Sequence, residues 1–396
     1  MSASEVVVVG GGISGMSFAW FCSQAGLGAL VLEKAPTAGG CIQSQQLERG
    51  FWFELGAHTC YNSYSSLLGI LEKRPGLDKL LPRAKVPFRL YVDGQIRSIP
   101  KELGILSLLG SAPRILTTKK RGLSVQQYYS RLVGEKNYER VFGPLFAAVP
   151  SQPADDFPAD MLFKKRTRRK DVPRSFTLQG GLQSVIDAIG AAPRVKVETD
   201  AEVAAIERAG DGFRLRLSDG SQREAKRLAL AVPPSAGSTM LKGAFPELAD
   251  ALAKIKVTPI RSIGAVVRAD ATPIGPVAFI VPRGHRFYSA VSRDTVPHSE
   301  LRGFAFHLKP QTSQDEALAL ISEVLKTDRA NLQHIVSREV CLPSPIVRHA
   351  ETLAQIERHL QPTGVFLTGN YFGGLAIEDC VIRSKREAER LLQTVG

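Results

Sequence analysis

The chain opens with an unbroken apolar run, and the pattern that follows it predicts a strand, a helix and a second strand. The run 6–9 consists of four valines, which suits a strand buried on both faces of a parallel sheet. Apolar residues from 16 to 22 predict a helix that ends near Gly26, and the run 29–32 predicts the second strand. The order strand, helix, strand is typical of an open α/β sheet.

The next part of the chain predicts a hairpin and then a group of helices. Residues 88–99 form two strand-like runs joined by Asp93-Gly94, a sequence typical of two-residue hairpin turns. Ser124 begins a capping box, and the apolar spacing over 125–149 is that of amphipathic helices. We therefore expect a hairpin followed by a helical lobe.

The rest of the chain predicts a return to strands. Apolar runs between 195 and 232, separated by Asp-Gly turns, predict a β-meander that rejoins the parallel sheet. Residues 236–360 hold further strands and a helix that begins with the capping box of Ser313. The segment 365–380 again has an apolar strand, a glycine-rich turn and an amphipathic helix, which we expect to begin near Leu375. Both ends of the chain therefore predict the same kind of unit.

Three glycines and one acid indicate what the first unit binds. Gly10, Gly12 and Gly15 match G-x-G-x-x-G: the first allows the tight turn, the second lets a pyrophosphate approach the backbone, and the third lets helix and strand pack closely. Glu33 ends the second strand, where a carboxylate holds the ribose hydroxyls of a nucleotide. The sequence therefore predicts a dinucleotide site.

A second pair of glycines favours FAD over NAD. Gly39 and Gly40 let the backbone pass close to the extended part of a long cofactor, where any side chain would collide. No second G-x-G-x-x-G occurs, so we do not expect a separate nicotinamide domain. The helix predicted after the turn near Gly369 would direct its positive end at a reduced flavin ring.

With these motifs, and with the segments 50–59 and 369–380, the sequence resembles the flavin-dependent amine oxidase superfamily. The order of its features is similar to that of protoporphyrinogen oxidases. The resemblance implies a Rossmann-like α/β FAD-binding domain of the amine oxidase/glutathione reductase-2 type, with an α+β substrate domain and a small helical lobe. We expect the FAD-binding domain to comprise 1–84, 174–235 and 361–396, the substrate-binding domain 85–100 and 236–360, and the helical lobe 101–173.

The resemblance also implies a reaction and a set of cofactor contacts. A hydride would pass from an organic substrate to flavin N5, and oxygen or a quinone would reoxidise the cofactor. The residues implied for FAD binding are Gly10, Gly12, Ile13, Ser14, Gly15, Glu33, Lys34, Gly39, Gly40, Gly56, Ala57, His58, Val203, Ala231, Gly369, Asn370, Gly374, Leu375 and Ile377.

The sequence departs from the family pattern at three places. Family members often have arginine after the double glycine, where this chain has Cys41, so that phosphate contact is missing or supplied elsewhere. The chain is also shorter, mostly in the lobe that shapes the family's substrate channel. The family's Asn-Arg pair for a substrate propionate aligns with Pro87 and Phe88, and Arg89 lies one residue later, which turns its side chain to the opposite face of a strand.

The charge of the chain restricts the chemical classes of partner that it can bind. The net charge of +13 and the pI near 9.6 indicate an anionic partner, namely nucleic acid, acidic lipid or a carboxylate-bearing substrate. No aromatic residues are interleaved in the basic run 164–170, so nucleic acid is not expected and we interpret the run as a solvated loop. A small-molecule, anionic substrate such as a tetrapyrrole fits the charge.

The cysteines and the chain start indicate a cytoplasmic protein. Five cysteines without a C-x-x-C pair argue against a disulfide framework and against a zinc ribbon. The first strand begins by residue 6, which leaves no room for a signal peptide, and no apolar run approaches the roughly 20 residues that span a bilayer. Any membrane contact would be peripheral, on the inner face. The sequence does not indicate an oligomeric state.

The sequence offers few candidates for catalytic residues. We see no Ser-His-Asp pattern, metal-ligand cluster or redox cysteine pair. His58 is the best catalytic candidate, and a packing or hydrogen-bonding role fits it equally well. Arg89 and Arg97 are candidates to orient an anionic substrate, whereas His349 is interpreted as structural.

Two other functions stay open at this point. One is an oxidase acting on an amine or an isoprenoid, which would use the same flavin motifs with a differently shaped cavity. The other is a non-catalytic protein on the same fold, like the GDP dissociation inhibitors, which would carry no flavin.

Overall fold

The computed structural model describes residues 4–74, 76–111, 114, 117–284 and 286–394. The strands of these residues are β1 (Ser4–Val9), β2 (Ala29–Leu32), β3 (Ser44–Gln46), β4 (Trp52–Glu54), β5 (Cys60–Tyr61), β6 (Leu80–Pro82), β7 (Phe88–Val92), β8 (Gln95–Ser98), β9 (Ser175–Leu178), β10 (Val195–Glu198), β11 (Val203–Ala209), β12 (Gly212–Leu217), β13 (Gln222–Leu230), β14 (Val257–Arg268), β15 (Phe279–Pro282), β16 (Ser289–Ser292), β17 (Leu301–Leu308), β18 (Gln333–Pro343) and β19 (Val365–Leu367).

The helices of the same residues lie between and around these strands. They are α1 (Ile13–Gln24), α2 (Ser65–Lys73), α3 (Ile99–Glu102), α4 (Ile105–Ser111), α5 (Val125–Val133), α6 (Glu135–Asn137), α7 (Gly143–Ala148), α8 (Gln183–Gly190), α9 (Pro234–Leu241), α10 (Pro246–Ala253), α11 (Gln314–Leu325), α12 (His349–Leu360) and α13 (Ile377–Leu392). Among the described residues, no helix combines the length and the apolar character that crossing a membrane requires.

The first large sheet is parallel at its centre. Its order is β10-β2-β1-β13-β12-β11, and β19 pairs with the second half of β13. The strands β10, β2, β1, β13 and β19 run parallel, whereas β11 and β12 join β13 as an antiparallel meander. The predicted meander that rejoins a parallel sheet is confirmed for β11, β12 and β13, whereas β10, which was predicted as part of it, pairs parallel with β2 at the other edge.

The four valines of β1 show why this sheet is buried on both faces. Val6 and Val8 pack into a core with α1, α2 and α8, whereas Val7 and Val9 pack into a second core with α9 and α10. Successive side chains of a strand point to opposite faces, so a continuous apolar run fits only a strand covered on both sides. This confirms the prediction for residues 6–9.

The second large sheet is mostly antiparallel, in the order β18-β14-β17-β16-β15-β7-β8. The predicted hairpin is present: β7 and β8 pair through the turn Asp93-Gly94, and β7 also pairs with β15. One face of the sheet is covered by α11, which begins with the predicted capping box of Ser313 and Glu316. The opposite face meets Phe51, Phe53 and Leu55, which pack around Val266.

The helices α3 to α7 lie beside the hairpin. Ser124 caps α5 in the predicted capping box with Gln127. Leu90 and Val92 of the hairpin pack against Val141 and Ala148 of this helical group. The first half of the chain is thereby joined to the second sheet, although the division of the whole chain into domains stays a prediction.

Candidate functional site

Four parallel strands end at one edge of the first sheet. Gly10 follows β1, Glu33 follows β2, Ala231 follows β13 and Gly369 comes shortly after β19. The carboxyl ends of parallel strands form the crevice in which open α/β sheets bind ligands. Val203, the first residue of β11, is buried in the core of the same sheet. The structure therefore gathers residues from both ends of the sequence at one edge.

Side-chain contacts hold the two ends of the chain together there. The hydroxyl of Ser384 in α13 lies 2.7 Å from the carbonyl oxygen of Ser14 in α1 and donates to it. The same hydroxyl is 2.7 Å from that of Thr368, which follows β19. The first and last units of the sequence are thus direct neighbours, as a cofactor that spans both requires.

The glycine loop after β1 is a surface of bare backbone. A Cβ atom on Gly15 would lie 1.9 Å from the carbonyl oxygen of Gly10, so helix and turn meet without room for any side chain. A Cβ atom on Gly40 would lie 2.8 Å from the Cα atom of Gly12. Gly39 donates from its backbone to the carbonyl of Gly11 at 2.9 Å. The loop 10–15 and the glycines Gly39 and Gly40 therefore form one groove of bare backbone, which we call the glycine cradle. Side chains would fill this groove, and its shape fits a pyrophosphate.

Glu33 lies against the same loop. Its Oε2 atom accepts a hydrogen bond from the backbone of Gly11 at 2.7 Å, and Oε1 accepts one from Ala35 at 3.0 Å. These bonds hold the carboxylate beside the glycine cradle, at the end of β2. Lys34 is exposed. Contact of Glu33 with a ribose stays a prediction.

The second glycine-rich turn lies between β19 and α13. Gly369 and Gly374 have φ angles of 159° and 143°, and Asn370 and Leu375 are half-buried. The helix α13 begins at Ile377, two residues later than predicted. It is 16 residues long, so its positive end is well formed.

His349 stabilises this turn from outside. Its Nε2–H group donates to the carbonyl oxygen of Tyr371 at 2.6 Å, and the imidazole is buried at the start of α12. Burial lowers the pKa of His349, so the neutral form is favoured. This position fits the interpretation of His349 as a structural residue, which stays a prediction.

The basic run 164–170 also reaches this turn. Lys164 Nζ lies 3.2 Å and Arg166 Nη2 lies 2.7 Å from Oδ1 of Asp379 in the first turn of α13. Lys164 donates as well to the carbonyl of Gly373. The interpretation of the run as a solvated loop is therefore wrong for Lys164 and Arg166, and Lys165 between them is exposed. The two inward side chains hold the turn to α13.

The segment of Gly56, Ala57 and His58 lies between the cradle and the second sheet. Ala57 donates from its backbone to the carbonyl of Cys41 at 2.9 Å, which places the segment directly beside the double glycine. A Cβ atom on Gly56 would lie 2.2 Å from the same carbonyl oxygen. The segment is therefore fixed where the ring end of a long cofactor would reach.

His58 contacts the second sheet through a pair of histidines. Its Nε2 atom is 3.2 Å from Nε2 of His307 in β17, and His307 Nδ1 is 2.8 Å from the hydroxyl of Ser262 in β14. Burial lowers the pKa of His58 well below its usual value, and His307 and Arg83 lower it further. Burial lowers the pKa of His307 to about 4. Both rings are neutral near pH 7, so one of the two Nε2 atoms carries a proton and donates it to the other Nε2 atom.

The two candidate substrate arginines point away from each other. Arg89 is paired with Ser98 and lies on the face of Tyr91, which packs under α11. Arg97 is paired with Leu90 and lies on the opposite face, where its Nη1 atom is 3.3 Å from Glu102. Directly opposed residues of a hairpin share a face, and neighbours along a strand alternate. The structure does not bring these two arginines together.

Sequence reasoning missed His307 and Ser262. A usable signal was the alternation in β17, where Gly303, Ala305 and His307 share one face and the apolar residues of 304–308 occupy the other. Small residues ending in a histidine indicate a face that meets another part of the molecule rather than a filled core. The pairing of His307 with His58 could not be read from the sequence because 249 positions separate them.

Known proteins match this chain over nearly its whole length. The family model for flavin containing amine oxidoreductases matches residues 109–392, and a model for NAD(P)-binding Rossmann-like domains matches residues 8–73. Coproporphyrinogen III oxidase of Bacillus subtilis is 22% identical, with 96% of each chain covered.

Two solved structures show the same fold. A putative protoporphyrinogen oxidase from Exiguobacterium sp. superimposes with a TM-score of 0.80 at 18% identity, with 100% of both chains covered. Putrescine oxidase bound to putrescine superimposes with a TM-score of 0.71 at 15% identity over 99% of both chains. The glycine cradle at the sheet edge and the family match lead to one conclusion: the chain belongs to the flavin-containing amine oxidoreductases, and its cofactor is FAD.

Proposed function

We propose that the protein is an FAD-dependent oxidase or dehydrogenase that takes a hydride from a carboxylated organic substrate of the protoporphyrinogen or coproporphyrinogen kind. When bound, FAD supplies a two-electron acceptor at its N5 atom, and oxygen or a quinone then takes the electrons. Support for the reaction class comes from the family, and support for the substrate comes from the likeness to coproporphyrinogen III oxidase over 96% of both chains.

The main observation in favour of an anionic substrate is a cluster of three arginines around one carboxylate. Glu102 is contacted by Arg283 at 2.5 Å, by Arg97 at 3.3 Å and by Arg140 at 3.8 Å. Hydrogen bonds from Arg283 hold the pKa of Glu102 below its usual value, so the carboxylate is charged. One negative charge therefore meets three positive charges, and two guanidinium charges are left without a counter-ion in the cluster.

The cluster lies where the hairpin, the end of β15 and the helical group meet. Arg97 is on the hairpin, Arg283 follows β15, and Arg140 lies in the helical group. The side chains of Arg97 and Arg140 are 43% and 58% exposed. Long guanidinium side chains with spare N–H groups can bind a carboxylate in a bidentate manner. We infer that they hold a propionate-like group of the substrate.

The N-terminus of α13 and the histidines His58 and His307 would surround the flavin ring of the cofactor. The positive end of α13 would stabilise negative charge on the ring, because this helix begins directly after the glycine-rich turn 369–376. His58 and His307 close the site with neutral, mutually bonded rings, so they exclude water without adding a charge. We keep His58 as the candidate residue nearest the reacting atoms.

The test is anaerobic mixing of the purified, FAD-loaded protein with coproporphyrinogen, protoporphyrinogen or a primary amine. We expect a porphyrinogen to bleach the flavin absorption and to yield a fluorescent porphyrin, and we expect oxygen or a quinone to restore the absorption. Arg97→Gln and Arg140→Gln should each raise KM about tenfold, which corresponds to about 1.4 kcal/mol, with a smaller change in kcat.

A matched control separates the local effect from a general loss of positive charge. Arg329→Gln removes an exposed arginine paired with Asp315 in the turn after α11, and it should leave KM as in the wild type. Bleaching by the amine alone would replace this proposal with an amine oxidase. Purified protein without flavin absorption would support a non-catalytic binding protein.

A further inference from the structure

A small cavity lies where β4 meets the second sheet. It is lined by Trp52 and Glu54 of β4, by Thr177 of β9, by Ser292 at the end of β16 and by Arg293, Thr295 and Val296 after it, and its volume is about 20 Å³. His58 and Arg83 also line it.

Three buried polar atoms of residues that line this cavity have no hydrogen-bond partner among the described residues. The hydroxyl oxygens of Thr177 and Thr295 and the Nε atom of Arg293 are buried and lack a hydrogen-bond partner among the residues that the structure describes. Thr177 is 3% exposed and Thr295 is 4% exposed. Buried polar groups are almost always paired, and an unpaired group costs about 1–3 kcal/mol. Three such atoms at one cavity therefore indicate a ligand that supplies the missing partners.

The charges around the cavity favour a negative ligand. Arg83 and Arg293 bring two guanidinium groups, and Glu54 brings the one carboxylate of the lining. Both oxygens of Glu54 are already bonded, one to the backbone of Leu182 and one to Ser44, each at 2.8 Å. A buried positive charge without a counter-ion is strongly unfavourable, so an anion would stabilise the folded protein.

The arginines have free N–H groups for such an anion. Arg83 Nη1 is 2.5 Å from the carbonyl oxygen of His58, and Arg293 Nη1 donates to the carbonyl of Val296. Arg293 also stacks on Trp52, with 4.2 Å from the guanidinium carbon to the ring centroid. Since a guanidinium carries five N–H donors, these bonds fix each group and leave most donors available. Stacking on Trp52 fixes the plane of the Arg293 guanidinium, so that its N–H groups can donate to the oxygens of a planar carboxylate.

We propose that this cavity is a binding site for a small carboxylate, with Arg293 and the hydroxyls of Thr177 and Thr295 donating to its two oxygens. The anion comes either as a free small carboxylate or as a carboxylate arm of a larger substrate. The proposal concerns binding alone and does not depend on the reaction proposed above. A cation is excluded by the two arginines.

The test titrates the FAD-loaded protein with sodium acetate, which replaces sodium chloride at constant ionic strength. Trp52 lies in the cavity wall, whereas Trp20, the other tryptophan of the chain, is buried in α1. We expect a saturable change in tryptophan fluorescence and a saturable rise in Tm with the same Kd. Trp52→Phe should lose the fluorescence change and keep the rise in Tm.

The double variant Thr177→Val and Thr295→Val removes both unpaired hydroxyls with little change in shape. We expect it to fold and to bind acetate at least tenfold more weakly. Arg268→Gln is the matched charge control, because Arg268 is exposed and paired with Asp270 away from the cavity, and its Kd should equal that of the wild type. Equal Kd values for the wild type and the double variant, or no saturable effect of acetate, would overturn the proposal and assign the cavity to water.

A turnover assay then distinguishes the two sources of the carboxylate. Competitive inhibition by acetate would assign the cavity to an arm of the substrate, and binding without competition would assign it to a free small anion. Both results support the site.

Discussion

The glycine cradle and the side chains around the cavity beside His58, which we call the interface, are neighbours in space. They are built in opposite ways. The cradle is made of backbone: Gly10, Gly15 and Gly40 approach other main-chain atoms so closely that one added carbon would collide. The interface is made of side chains, with Glu54, His58, Arg83 and Arg293 around one cavity. Recognition by backbone demands particular residues at fixed spacing, whereas recognition by side chains needs only that suitable groups meet after folding.

This difference leads to different sensitivities. At the cradle a single methyl group is decisive, because the clash is with main chain that cannot rotate away. At the interface the decisive quantity is charge, because buried ionisable groups respond to their surroundings by changing pKa. Substitutions at the cradle should therefore act through shape, and substitutions at the interface should act through pH.

The largest effect is expected from Gly15→Ala. The new Cβ atom would lie 1.9 Å from the carbonyl oxygen of Gly10, so α1 must move away from the turn and the cradle must open. We expect the FAD content of the purified protein to fall at least tenfold, measured as the ratio of flavin to protein absorption. Gly69→Ala is the control, because a Cβ atom on that glycine of α2 meets nothing within 4 Å. Full FAD content in Gly15→Ala would show that the contact is not required.

A smaller effect is expected from Glu54→Gln, and it should depend on pH. Burial raises the pKa of Glu54 from 4.5 to about 7, although Leu182, Ser44 and the two arginines oppose the rise. Between these values the folded chain keeps a proton that the unfolded chain has lost. The free energy of unfolding of the wild type should therefore fall, relative to Glu54→Gln, as pH rises from about 4.5 to 7, by an amount on the order of 3 kcal/mol.

Denaturant unfolding of both proteins at several pH values measures this difference. Below pH 4.5 the two curves should run parallel, and above pH 7 they should be parallel again with the wild type shifted downward. Glu48→Gln, at an exposed glutamate shortly before β4, should follow the wild type throughout. Parallel stabilities across the whole range would mean that Glu54 is ionised in the folded protein and that the interface carries less net positive charge than we infer.

The same contrast explains which parts of the structure could be predicted from the sequence. The four valines of β1 and the glycines after them each leave a local pattern, because burial on both faces and close backbone approach restrict residue type. The hairpin turn Asp93-Gly94 and the capping boxes at Ser124 and Ser313 are equally local, and all are confirmed.

The interface left no comparable pattern. Thr177 and Thr295 are ordinary residues of their own segments, and only the folding of the chain brings them to one cavity. The basic run was misinterpreted for the same reason: its partner, Asp379, lies more than 200 positions away. Charge runs are solvated by default, and only a distant carboxylate changes that expectation.

The central claim is that one long cofactor is held at its two ends by the two ends of the chain. Hydrogen exchange of the protein with and without FAD tests it most directly. We predict that FAD slows amide exchange in four segments at once, namely 10–15, 39–42, 56–58 and 369–376. Protection confined to 10–15, with 56–58 and 369–376 unchanged, would contradict the account, because the flavin end would then lie elsewhere.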